Sequence, residues 1–427
     1  MNDLGEVLVP WADLPQRWGH PWHRMCSYLG TFPGALARSL LSMLSDEGDV
    51  ILDPFSGRGT TLLEARLTGR VPLASDLNPI AVALSRAKNA SVSYSEIIAR
   101  LDFLQQRYDP RLYEPEANVE SDNILLIFHP KTLAQLCYLR RKLVSSESPV
   151  DEFLIGCVLG IMHGSERTDG TSSYASISMP NTYSMPPNYV RRFVETKRLQ
   201  RVPRDVFDIL RQKAKRLCLE GTKFRTSGVV ERIDAKRITM ADAFASYRGR
   251  VRLVLGSPPY LDVVNYARQN WIRAWFLDEH PETVSEDLDD NLTLSVWLDF
   301  AEAVAAEIKG MLMDDGVAVL VIGDVAWANR SIISLAREFI RRLLHNGSFS
   351  YVGCLSDRIQ TDVKTTRIWK ETKGRATAVD RLIVLSNSPP EFRCDRLADD
   401  LQTRDKHAIP MIDAVQLREY AAHFAGA

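Results

Sequence analysis

Asp49-Val-Ile-Leu-Asp-Pro-Phe-Ser-Gly-Arg-Gly-Thr-Thr61 decides the fold. Its first half is a short apolar run between Gly48-Asp49 and Asp53-Pro54, the pattern of a strand buried on both faces of a parallel sheet. Its second half is a glycine turn that leads into a helix, so backbone can approach a bound molecule closely. Thr61-Leu-Leu-Glu64 has capping-box spacing, which predicts a helix from Thr61 that stops at Gly69. Val71-Pro-Leu-Ala-Ser75 reads as the next strand and ends at Asp76. Strand, glycine turn, helix, strand and acidic residue form the opening unit of a doubly wound, mostly parallel α/β sheet. Such a sheet binds ligands at the carboxyl ends of its strands.

Outward from this unit the chain divides by pattern. Residues 1–90 hold a loop-rich leader, a helix after Phe32-Pro33 and the glycine string. Residues 91–232 show helical periodicity around a Ser, Thr, Pro and Asn-rich stretch at 164–188, and read as a mostly helical insertion. Residues 233–390 resume the α/β pattern, first at Ile238-Thr-Met-Ala-Asp242. The strand Val251-Arg-Leu-Val-Leu-Gly256 follows and feeds Ser257-Pro-Pro-Tyr260. Residues 391–427 form a tail with weak helix signals.

The 427 residues, 45% hydrophobic and 25% charged, suffice for two or three domains and a large core. A net charge of -1 excludes a uniformly basic coat, so nucleic-acid binding would need local charge. Arg191 to Arg225 supplies it, with twelve basic residues against four acidic ones. Within it, Arg191, Arg192, Lys197 and Arg198 are candidates for phosphate contact, the alternative being a solvated basic face. Ser172, Ser173, Tyr174, Asn181, Tyr183 and Asn188 could touch base edges or backbone. A second basic stretch, 361–375, includes Lys364, Arg367 and Lys370. Arg140-Arg-Lys142 reads as a solvated helix face, and Tyr266, Trp271, Trp275 and Phe276 as core at helical spacing.

The six cysteines are dispersed without a C-x-x-C pair, which disfavours a metal site and a disulfide framework and fits a reducing cytoplasm. No signal peptide is legible, and the longest apolar run, 153–162, is about half of the ~20 residues a membrane span needs.

Phe32-Pro33, the string DPFSGRGTT, Ala74-Ser-Asp76-Leu-Asn78-Pro79 and SPPY, in this order, resemble the S-adenosylmethionine-dependent amino-methyltransferases of DNA, the cytosine-N4 branch in particular. The resemblance implies a Rossmann-like methyltransferase fold. It implies that Phe32, Pro33, Asp53, Phe55, Gly57 and Gly59 line the cofactor. Thr60 and Thr61 at the helix start would offer N–H groups to its carboxylate, and Asp76 would bind ribose. Asp242 would lie near the adenine, or serve only as a helix cap. The family has a small residue where Arg58 stands, so that side chain is expected to point at phosphate or solvent.

In the catalytic string Ser257 and the carbonyl of Pro258 would accept hydrogen bonds from an exocyclic amino group. Pro258 and Pro259 would stiffen the loop, and Tyr260 would stack on a base flipped out of the duplex. By the same resemblance the partners are double-stranded DNA and a cognate restriction endonuclease, with the insertion reading sequence. Adenine-N6 methylation is an open alternative, because its enzymes usually carry Asp or Asn where Ser257 stands. An RNA guanine-N2 methyltransferase shares a similar loop, but it is expected to bring an RNA-binding domain ahead of the core, where fewer than 50 residues stand.

Overall fold

The computed structural model describes residues 6–8, 19–180, 185–218, 224–261, 266–280, 282–284, 288, 292–326, 332–346, 349–358 and 376–386. Among the described residues nine strands form one sheet: β1 (Glu6–Leu8), β2 (Val50–Asp53), β3 (Val71–Asp76), β4 (Val229–Arg232), β5 (Val251–Gly256), β6 (Leu312–Ala326), β7 (Ile332–Ile333), β8 (Ser350–Arg358) and β9 (Ala376–Ser386). Their order is β1-β8-β9-β6-β5-β2-β3-β4, with the short β7 paired to β6. Pairing is parallel from β4 through β3, β2 and β5 to β6, and β9 runs antiparallel between β6 and β8. This is the doubly wound, mostly parallel sheet that the glycine string predicts.

The central strands bury alternate residues on opposite faces. Ile51, Leu253, Leu255, Val319 and Val321 pack against α1 (Gly34–Leu44). Val50, Leu52, Val254, Ala318, Leu320 and Ile322 pack with residues of α13 (Leu294–Met311) and α14 (Leu335–Asn346). Apolar side chains at both parities of a strand require cover on both sides, and the helices supply it. After β2 the chain winds through α2 (Thr60–Leu67), β3 and α3 (Pro79–Asn89) to β4, then returns to β5 on the other flank of β2. The crossover direction therefore reverses between β2 and β5, which opens a crevice at their carboxyl ends.

Seven helices, α4 (Tyr94–Gln106), α5 (Pro110–Asn118), α6 (Asp122–Ile127), α7 (Pro130–Leu143), α8 (Pro149–Leu159), α9 (Pro187–Lys197) and α10 (Val206–Leu217), stand between α3 and β4. They share one hydrophobic cluster with Trp22 and Met25 of the leader, Ile80 and Leu84 of α3, and Trp271, Ile272 and Phe276 of α12 (Trp271–Phe276). Among the described residues no helix is long and apolar enough to cross a membrane.

Three local expectations are corrected. The third strand in chain order around the crevice is Val229–Arg232, parallel to β3 and inside the stretch read as insertion. The Ile238–Asp242 segment instead forms 3-10 turns at Ala235–Met240 and Asp242–Tyr247. The capping box at Thr61 does not form: α2 starts at Thr60 behind Gly59 in the left-handed region (φ 71°), with no side-chain cap. Glu64 is fully buried and serves His23 and Arg38 instead.

Candidate active site

Strand ends create the site. β2 ends at Asp53 and β5 at Gly256, so the winding of the sheet brings DPFSG and SPPY to the same crevice although some 200 positions separate them. There they border a cleft of about 630 Å³, open mouth included, lined by Tyr28, Gly30, Pro54, Phe55, Gly57, Asp76, Leu77, Asn78, Asp234, Ala235, Ser257, Pro259, Tyr266, Leu288 and Phe300. Among the described residues this wall holds two carboxylates, four aromatic rings and no basic side chain.

Two of the acidic residues expected from the sequence, Asp53 and Asp76, are held by backbone. Phe55 N–H donates to Asp53 Oδ1 (3.1 Å), while Gly57 N–H and Asn78 N–H donate to the two oxygens of Asp76 (2.9 Å each). Asp53 is almost fully buried behind the cleft wall, and burial pushes its carboxyl up to about 7 against the opposing influence of the neighbouring Thr61 hydroxyl and the Phe55 N–H. Burial likewise pushes Asp76 up to about 6, opposed by the N–H donors of Asn78 and Gly57. Each carboxyl thus sits where ionisation is costly until a cation or a set of donors arrives.

Beneath the glycine loop lies a buried polar network. The His23 imidazole, lowered to about 4 chiefly by burial, is neutral at pH 7 and donates from Nε2 to Glu64 Oε1 (2.6 Å). Arg38 donates to the other Glu64 oxygen (2.8 Å). Arg58 turns inward: it is 6% exposed and donates to the His23 carbonyl (3.3 Å), while Lys88 donates to the Arg58 carbonyl (2.5 Å). Neither phosphate nor solvent is within reach of that guanidinium, which corrects the expectation drawn from the sequence. The network clamps the loop from behind.

Gly57 and Gly59, both at positive φ, do different work. Gly57 faces the cleft, where an added Cβ would lie 3.6 Å from the Tyr28 ring. Gly59 faces α3, where a Cβ would come within 3.1 Å of Ser85 Oγ and 3.3 Å of Ser85 Cα, so it permits helix packing. Thr60 and Thr61 are buried, and the Thr61 hydroxyl donates to the Leu255 carbonyl (3.2 Å). Phe32 packs under α1 and Pro33 caps that helix, outside the residues that line the cleft. Their neighbours Tyr28 and Gly30 line it instead. Asp242 is exposed at the start of its 3-10 turn and away from the cleft wall, where Asp234 stands just beyond β4.

The SPPY loop is pinned to the sheet. Ser257 Oγ donates to the Val321 carbonyl (3.0 Å) and lies 2.9 Å from the Tyr260 hydroxyl, which donates to the same carbonyl (2.9 Å). Trp297 Nε1 donates to the Pro259 carbonyl (2.7 Å), and Pro258 is buried. The serine proton has partners within the loop and on β6, and an oxygen lone pair remains for a donor in the cleft. Ser257 and Pro259 line the cleft, while the Tyr260 ring is half-buried beside them.

Sequence reasoning missed Tyr28, Asn78, Asp234 and Tyr266 as cleft residues. Tyr266, read as core, begins α11 (Tyr266–Gln269) and stacks on Tyr28, with ring centroids 5.7 Å apart. The other aromatic residues of that stretch do pack inside: Trp271 and Phe276 are buried, and Trp275 stacks on Phe128. Arg140 is not a solvated side chain either, since it pairs with Glu116 and Glu120 and lies over Trp275.

The basic segment separates into two sets. Arg191, Arg192, Lys197 and Arg198 are exposed on α9 and at its end. Arg204 pairs with Glu166, Arg211 with Asp102, Arg225 with Glu47, and Lys213 is buried and donates to the Gly160 carbonyl. Tyr174 is half-buried and Arg216 donates to the Ser173 hydroxyl. Asn181, Tyr183, Lys364, Arg367 and Lys370 lie outside the described residues.

A doubly wound sheet with an acidic, aromatic cleft at its switch point defines a class of nucleotide-type cofactor binders, and comparison with known proteins narrows it. Residues 17–86 match the family model described as DNA methylase. The chain is similar to the type II methyltransferase M.MthZI of Methanothermobacter thermautotrophicus, 27% identical over 139 residues, which cover 30% of this chain and 39% of that protein. It is also similar to the type II methyltransferase M.BamHI of Bacillus amyloliquefaciens, 33% identical over 91 residues, or 21% of each chain. These matches span well under half the length of either relative. Among solved structures, the rRNA methyltransferase AviRa of Streptomyces viridochromogenes aligns over 85% of this chain and 89% of its own, at 12% identity and a TM-score of 0.33.

Proposed function

We propose that this protein transfers the methyl group of S-adenosylmethionine to the N4 amino group of cytosine in double-stranded DNA. The observation that carries the reading is the meeting of DPFSG and SPPY at one cleft whose described wall residues include two carboxylates and four aromatic rings. Such a wall suits a ligand with cationic centres, a ribose and a planar ring. Asp53 would pair with the ammonium of that ligand, Asp76 would accept from its ribose hydroxyls, and Leu77, Asp234 and Ala235 would border its adenine. The match of residues 17–86 to the DNA methylase family supports the same cofactor and a DNA substrate.

An exocyclic amine is a poor nucleophile because its lone pair is delocalised into the ring. Accepting its N–H groups at Ser257 Oγ and at the Pro258 carbonyl favours the pyramidal nitrogen, and holding that nitrogen in line with the sulfonium methyl supplies the orientation. Bound S-adenosylmethionine would supply an electrophilic methyl carbon whose bond to sulfur would break as the amino nitrogen bonds to it, and the N–H proton, made acidic by the positive charge on nitrogen, would pass to water. No strong base is required. The target base must leave the duplex to reach this cleft. Tyr260, anchored through its hydroxyl, presents a ring of fixed orientation beside the serine for stacking. Serine rather than Asp or Asn at position 257 favours cytosine, by resemblance. The residue types around Ser257 fit adenine N6 as the second reading.

Calorimetry with S-adenosylmethionine tests the cofactor. Asp76→Ala is expected to weaken binding roughly 10- to 100-fold, as for a lost charged hydrogen-bond acceptor. Unchanged affinity in a folded variant would remove Asp76 from the site.

DNA binding is assigned to the exposed set on α9, together with the inserted helices around it. Replacing Arg191, Arg192, Lys197 and Arg198 with Gln is expected to flatten the salt dependence of DNA affinity, each lost phosphate contact lowering the slope by about one. Cofactor affinity stays constant. An unchanged slope would make this a solvated face and move DNA binding elsewhere.

A further inference from the structure

The stacked rings of Tyr28 and Tyr266 have no part in the reading so far, yet both line the cleft. Their position follows from the chemistry of the proposed cofactor. Its sulfur is bonded on one side to the amino-acid chain and on the other to the ribose, so it must lie between the partner of the ammonium and the partner of the ribose. Those partners are Asp53, behind the wall at the end of β2, and Asp76 on the wall, and the glycine loop that follows Asp53 reaches the cleft at Gly57, whose N–H holds Asp76 at 2.9 Å. The Tyr28 ring stands 3.6 Å from the Cβ position of Gly57. Tyr266 stacks on Tyr28 with planes 22° apart.

We propose that the Tyr28–Tyr266 pair reads the positive charge of the sulfonium and so favours S-adenosylmethionine over its neutral product, S-adenosylhomocysteine. The proposal rests on the cofactor assignment above. An aromatic face attracts a cation through its quadrupole. It offers no lone pair that could itself take the methyl, as a carboxylate at that point would. Tyr28 is held for this role because Asn78 Nδ2 donates to its hydroxyl (2.9 Å), and Asn78 is fixed by capping α3 through the N–H of Ile80 (3.0 Å). Tyr266 follows the SPPY loop in sequence, so the pair also joins the charge-reading wall to the substrate loop. Loss of the charge on methyl transfer removes the attraction and weakens retention of the product.

The test is the ratio of affinities. Calorimetry is run on the full chain with S-adenosylmethionine, S-adenosylhomocysteine and sinefungin, in which a protonated amine stands in place of the sulfonium. Tyr266→Leu is expected to weaken both cationic ligands about 3- to 10-fold and leave S-adenosylhomocysteine unchanged, while Tyr266→Phe keeps the parental ratio. Fluorinated phenylalanines at 266, which preserve shape but make the ring face less negative, should lower the ratio stepwise and do not depend on the leucine variant folding. Equal loss for charged and neutral ligands, or a constant ratio along the fluorinated series, overturns the proposal. A parent protein that binds none of the three overturns the cofactor assignment itself.

Discussion

Ser257→Ala is expected to lower the single-turnover rate of methyl transfer roughly 10- to 100-fold, the equivalent of a hydrogen bond worth about 1.5 to 3 kcal/mol made chiefly in the transition state. The serine hydroxyl has the Val321 carbonyl and the Tyr260 hydroxyl as partners for its proton inside the protein, which leaves an oxygen lone pair to accept from the cleft. That acceptor matters most as the amino nitrogen becomes pyramidal, and affinities for cofactor and DNA should be unchanged. A variant that reacts at the parental rate would show that the Pro258 carbonyl suffices and that the serine has no role in the reaction.

Asp53→Asn should do two opposite things. Without the carboxylate the cofactor ammonium loses its partner, and affinity should fall about 10- to 100-fold. The cofactor-free protein should become more stable at neutral pH. The Asp53 carboxyl is raised from 3.8 to about 7 by burial, so between those values the folded state binds more protons than the unfolded one. Stability contributed by this group therefore falls as pH rises through that window, by roughly 3 to 5 kcal/mol in all. Asparagine keeps the acceptor for Phe55 N–H and has no proton to lose. Denaturant unfolding of parent and variant at pH 5 and pH 8 measures the difference. The parent should lose stability relative to the variant across that interval, and identical pH dependence would show that Asp53 ionises in the fold without penalty.

The strings that carry the proposed chemistry were legible because they combine a periodic apolar run with turn residues. Val50-Ile-Leu52 and Val251 to Gly256 could only be buried strands, and glycine or proline at their ends marked where they stop. Asp53, Gly57, Asp76 and Ser257 followed from those ends. β4 was not legible, since Val229-Val-Glu-Arg232 has two apolar residues and no alternation, and so Asp234, which lines the cleft just beyond it, was passed over. Tyr28 and Tyr266 escaped for a different reason. Each is a single aromatic residue whose meaning arises only when the leader and the segment after SPPY meet across the cleft.

Charge was misjudged in the same way. Counting between Arg191 and Arg225 registers a positive excess but not the carboxylates that fold onto it from elsewhere, such as Asp102 against Arg211 and Glu47 against Arg225. The α9 set stays exposed, as do Arg201, Lys215, Arg216 and Arg225, while Arg204, Arg211 and Lys213 are drawn inward. Glu64 shows the converse: its spacing from Thr61 suggested a cap, whereas His23 and Arg38, distant in sequence, draw it inward.

The most direct measurement is nucleoside mass spectrometry of duplex DNA after incubation with the purified protein and S-adenosylmethionine, with RNA treated in parallel. The account predicts N4-methylcytosine in the DNA digest and no methylated base in the RNA. N6-methyladenine alone would contradict the choice of base while leaving the cleft chemistry intact, and methylation of RNA with unmodified DNA would contradict the account as a whole.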